Sequence, residues 1–82
     1  MDKTEHEIMT DAYRLLAENS DPPIAGTPAG TAFWERMSQT LIELGQKWNN
    51  HPLSLEVLPA VYFYIESKQK AEAAKRGRAT SQ

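Results

Sequence analysis

Val57-Leu58-Pro59-Ala60-Val61-Tyr62-Phe63-Tyr64-Ile65-Glu66-Ser67-Lys68-Gln69-Lys70 is the stretch on which the fold turns. Its first nine residues are apolar almost throughout, and Val61 to Ile65 have the β-branched and aromatic composition of a strand. Two arguments favour a helix instead. Glu66 to Lys75 is a run of strong helix formers, joined to the aromatics with no turn signal between them. A lone strand here would also find no second strand to pair with elsewhere in the chain. The spacing predicts one helix that begins at 55 under a Ser54 cap, or at 59 with Pro59 tolerated in the first turn, and that ends at 76. Gly77 then stops it, and 77–82 form a frayed tail.

Working back from this helix, the residues before it predict a second. Phe33, Leu44, Met37, Trp48, Leu41 and Trp34 fall within an arc of about 100° at 3.6 residues per turn. Glu35, Arg36, Gln39, Glu43, Gln46 and Lys47 occupy the other side. This helix is placed at about 32–49, capped by Thr31 or, with an earlier start, by Thr27 ahead of Pro28. Asn49-Asn50-His51-Pro52 ends it. A first helix at about 5–18 follows from Ile8, Met9, Ala12, Tyr13, Leu15 and Leu16 on one face. Thr4 and Glu7 have the spacing of a capping box there. Between the first two helices, Asn19 to Gly30 holds Pro22, Pro23, Gly26 and Pro28 and reads as an irregular loop, with Ile24 tucked onto the core. The expected fold is a small all-α, three-helix domain, a single unit across residues 1–82.

Composition narrows the function classes. The chain has 82 residues and no cysteine, so disulfides, thiolate metal sites and thiol nucleophiles are excluded. A domain this small must draw its stability from packed apolar area or from a partner subunit. No apolar run approaches the length of a membrane span, and Met1 to Glu7 carries no apolar stretch of a secretory signal. A cytoplasmic location is the expectation. The charge is uneven: residues 1–43 carry three bases against eight acids, and residues 44–82 carry six against three. Differently charged solvated faces on short helices account for this without invoking a partner.

Catalysis finds no support in the motifs. His6 and His51 lie in different segments, and neither stands at metal-ligand spacing from another. Ser20, Ser38, Ser54 and Ser67 lack a nucleophile elbow. Glu7, Asp11 and Glu18 share a polar helix face rather than a cleft. Gly26-Thr27-Pro28-Ala29-Gly30-Thr31 lacks the lysine and the preceding strand of a phosphate loop, and a proline removes a needed amide donor. The expectation is a protein that is not an enzyme, with no metal, no cofactor and no small-molecule substrate.

Two binding readings remain. Helix two, a turn and helix three resemble a helix-turn-helix in outline, but the base-reading positions would be Leu55, Glu56, Val57 and Leu58, which suit DNA poorly. Lys68, Lys70, Lys75, Arg76 and Arg78 are candidate phosphate contacts, against which stands their ordinary use as a solvated helix end. An acidic first half that blocks a nucleic-acid-binding partner is a further variant. The stronger expectation comes from the opening stretch. Val57, Leu58, Val61, Tyr62 and Ile65 make one stripe, whereas Ala60, Phe63 and Tyr64 point elsewhere. Three helices enclose only one core, so this second surface, completed by Ser67, is the candidate partner-binding site. The chain is therefore expected to be a protein–protein interaction module that acts by stoichiometric binding, most simply as a homodimer.

Overall fold

Lys3–Glu18 forms α1, Pro28–Lys47 forms α2 and Pro52–Thr80 forms α3. The structure is a computed structural model that describes residues 1–80, with side chains described through Lys75. The all-α, three-helix expectation holds, and Val61 to Ile65 lie inside a helix rather than a strand. Residues 81 and 82 lie outside the described residues.

α1 and α3 start earlier than expected and α2 takes the earlier of its two expected starts, each for a local reason. Asp2 caps α1, and its carboxylate accepts from the Glu5 amide at 2.8 Å while Glu5 returns the bond to the Asp2 amide at 2.9 Å. The capping box is thus Asp2/Glu5, two residues ahead of Thr4/Glu7, because aspartate serves an N-cap at least as well as threonine. Thr27, not Thr31, caps α2; its hydroxyl accepts from the Gly30 amide, and Pro28 fills the first helical position. Gly30 is buried there, where an added Cβ would meet the Ile24 carbonyl oxygen at 2.5 Å. Asn49 and Asn50 both take left-handed backbone angles to turn the chain from α2 into α3, which asparagine tolerates better than most residues.

α3 begins at Pro52, before either expected start. His51 rather than Ser54 serves its first turn, with Nδ1 accepting from the Leu53 amide at 3.1 Å. Ser54 is buried inside the helix and donates to the His51 carbonyl. Pro59 consequently sits two turns in, not in the first turn. The bond it removes is the one to the Leu55 carbonyl, and Leu55 lies on the exposed side, where water can replace a missing donor. Gly77 does not stop the helix, which continues to Thr80. A glycine costs a helix interior only about 1 kcal/mol relative to alanine, so good helix formers around it suffice. The expected 77–82 tail therefore belongs to α3 as far as Thr80.

The third helix is central: α1 and α2 each pack against it. Ala12 and Leu15 of α1, Phe33 and Met37 of α2, and Leu58 and Ile65 of α3 form the buried cluster. Leu16, Trp34, Leu41, Leu44, Val57, Val61 and Tyr62 close around it. Ser20 and Trp34 both reach the Lys68–Gln69 turn of α3, whereas Asp11 meets Lys47 and Trp48 at the other end of α2. α1 and α3 therefore run in the same direction and α2 against both. The molecule measures 52 × 24 × 17 Å, and its length follows from α3, which alone is about 44 Å long at 1.5 Å per residue.

Polar bonds clasp the loop between α1 and α2. Lys68 donates to the Ser20 carbonyl at 2.7 Å, and the Gln69 amide donates to the Pro23 carbonyl at 2.7 Å while accepting from the Trp34 indole at 3.1 Å. Ile24 does not anchor the loop as expected; it is 53% exposed. Two backbone carbonyls gripped by α3 do that work, so the loop needs no apolar anchor.

Candidate functional site

The outward face of α3 is where the sequence placed a second apolar surface, and the structure leaves it uncovered. Phe63 is 59% exposed and Tyr64 54% exposed, and Ala60 and Ser67 are exposed beside them. The four belong together because residues three, four and seven apart share a helix side. The Ser67 hydroxyl is bonded to the Phe63 carbonyl at 3.0 Å, so it satisfies itself within the helix. The surface it contributes is small, and its polarity is already spent.

Phe63 is held in place by an aromatic chain that starts in the core. Phe33 meets Trp34 edge-to-face at 4.9 Å, Trp34 meets Tyr62 at 4.9 Å, and Tyr62 meets Phe63 at 5.5 Å. Edge-to-face pairs favour one geometry over others. The exposed ring is thus the outer end of a packed series that fixes its orientation. Tyr64 is flanked by the Lys68 ammonium, 5.9 Å from its ring centroid.

Among the described residues, two of the expected phosphate contacts, Lys68 and Lys70, do not share one patch. Lys68 is half-buried and committed to Ser20, and Lys70 points the other way, 3.6 Å from Glu66. Lys75 is exposed, and the side chains of Arg76 and Arg78 lie outside the described residues. Of the helix-turn-helix reading positions, Leu58 is in the core and Val57 is half-buried. Two readers' positions out of four are therefore turned inward.

Elsewhere the polar clusters hold the fold together. Asp11 accepts from both the Lys47 ammonium at 2.8 Å and the Trp48 indole at 2.9 Å, tying α1 to the end of α2. Gln69 plays the same part at the opposite end. Neither residue stood out in the sequence. A signal existed for Gln69: Ser54, Leu58, Val61, Ile65 and Gln69 step by three or four, so the buried line of α3 passes through two polar residues. Among the described residues, no three His, Asp or Glu side chains converge as a metal site would require. A shallow groove bounded by Gly26, Gly30, Trp34, Ser38, Ile42 and Gln69 contains no titratable pair that could move a proton.

What the fold and this face define is a small all-α domain of three helices with an open apolar surface on the longest. Comparison with known proteins finds no matching family model, no matching curated protein and no matching solved structure. No helix among the described residues is long and apolar enough to cross a membrane.

Proposed function

We propose that this chain is a protein–protein interaction module that self-associates through the outward face of α3 and acts by stoichiometric binding, without catalysis. One observation carries the reading: Phe63 and Tyr64 stand more than half exposed on a helix whose opposite side already completes the core. The aromatic series behind Phe63 supports it, because a ring positioned beforehand loses little conformational freedom on contact.

Nucleic-acid binding is the weaker reading, since Lys68 and Lys70 project to different sides of the helix and Lys68 is already held by the Ser20 carbonyl. The test is sedimentation or light scattering from micromolar concentration upward. The expected result is a concentration-dependent dimer that Phe63→Ser weakens at least tenfold, about 1.4 kcal/mol, while its helical circular dichroism stays unchanged. A chain that remains monomeric throughout, with or without Phe63→Ser, overturns the proposal.

A further inference from the structure

Glu56, Phe63 and Lys70 are spaced seven residues apart on α3, and at 100° per residue they lie within about 40° of one another. All three are exposed. Phe63 therefore sits midway along a seam with an acid one heptad before it and a base one heptad after it. Ala60 and Ser67 flank the ring at three residues before and four after, and both are small. Their short side chains leave hollows on either side of the projecting phenyl group.

The geometry points to an antiparallel dimer in which two copies of α3 cross at Phe63, an inference that rests on the self-association proposed above and specifies its arrangement. With the two-fold axis at Phe63, the two rings pack against each other, each seated in a hollow beside the other's ring, next to its Ala60 or Ser67. Glu56 of each copy then faces Lys70 of the other, giving two ion pairs at the edges of the seam. The parallel alternative sets Glu56 against Glu56 and Lys70 against Lys70, and it aligns the helix dipoles unfavourably. Charge complementarity thus selects a second copy of this chain, in one direction, as the occupant of the face. In the monomer Lys70 lies 3.6 Å from Glu66 with its side chain largely exposed, a weak pair that leaves it able to turn to a new partner.

The test uses the full chain, and the absence of cysteine makes thiol chemistry unambiguous. Glu56→Lys replaces both cross-pairs by repulsion and is expected to weaken the dimer about tenfold in sedimentation. Adding Lys70→Glu to it restores the pairs in reverse and is expected to bring affinity back to within about threefold of the original. Ala74→Cys, treated with a short thiol cross-linker, is expected to give no linked dimer, because the two sites stand about 33 Å apart along antiparallel axes. An equimolar mixture of Ala60→Cys and Ser67→Cys chains is expected to link across the interface. Efficient self-linking of Ala74→Cys, or a dimer indifferent to Glu56→Lys, overturns the antiparallel arrangement while leaving self-association standing. Absence of any dimer in the unsubstituted chain overturns both.

Discussion

The two sides of α3 reverse the usual assignment of polar and apolar residues. The inner side buries Ser54 at 2% exposure and Gln69 at 8% alongside Leu58 and Ile65. The outer side leaves Phe63 and Tyr64 more than half exposed. The inner polar groups are tolerable because each is bonded: Ser54 to the His51 carbonyl, Gln69 to Trp34 and Pro23. No buried side-chain polar atom among the described residues lacks a partner. The outer aromatics have no such internal justification. A polar residue inside can be explained wholly by the chain's own needs, whereas the exposed aromatics outside are explained only on the self-association proposed above.

If the two sides differ in this way, substitutions on them separate into stability effects and binding effects. The largest loss is expected at Ile65, which is fully buried. Ile65→Ala should cost about 2–5 kcal/mol in urea unfolding, a large share of the roughly 4–12 kcal/mol that a chain of this length commands. Phe63→Ser, two residues away, should shift the unfolding of the monomer by only about 0.5–1.5 kcal/mol, the worth of its edge-to-face contact with Tyr62. Equal losses at the two positions would mean that Phe63 belongs to the core and that the contrast is false. Next in size is Gln69→Leu, which keeps the volume but strips the Trp34 indole and the Pro23 carbonyl of their partner. A cost of about 1–3 kcal/mol is expected, accompanied by faster proteolytic cleavage in the loop before α2. If Gln69→Leu stabilises the chain instead, the inner side would have wanted an apolar residue there all along.

Periodicity made the helices and the two-sidedness of α3 legible. Phe33, Met37, Leu58 and Ile65 were all placed on inward stripes, and Phe63 and Tyr64 outside them, because repeat spacing is a local property of the sequence. The helix ends were less legible. Asp2, Thr27 and His51 each compete with a nearby residue able to do the same capping, and the choice depends on backbone geometry one turn away. Least legible were the contacts of Asp11, Lys68 and Gln69. Each joins groups 35 or more residues apart, and nothing in the local chemistry of an aspartate or lysine announces its partner. The same holds for the Gly30 amide region, where the reason for glycine is the approach of the Ile24 carbonyl rather than a turn.

The finest test of the contrast uses two lysines that the sequence grouped together. Lys68 lies on the inner flank, half-buried, and donates to the Ser20 carbonyl at 2.7 Å; Lys70 lies on the outer side, 76% exposed and 3.6 Å from Glu66. A short bond from a partly desolvated ammonium to a loop carbonyl holds tertiary structure, and Lys68→Ala is expected to cost about 1 kcal/mol. An exposed pair one turn apart contributes little, so Lys70→Ala should change monomer stability by no more than about 0.3–0.5 kcal/mol. Ionic strength sharpens the distinction, because salt screens exposed charges far more than partly buried ones. Raising salt should therefore remove the small effect of Lys70→Ala and leave most of that of Lys68→Ala in place. If the two lysines respond alike to substitution and to salt, the ammonium of Lys68 is as solvated as its neighbour, and the inner flank of α3 ends before residue 68.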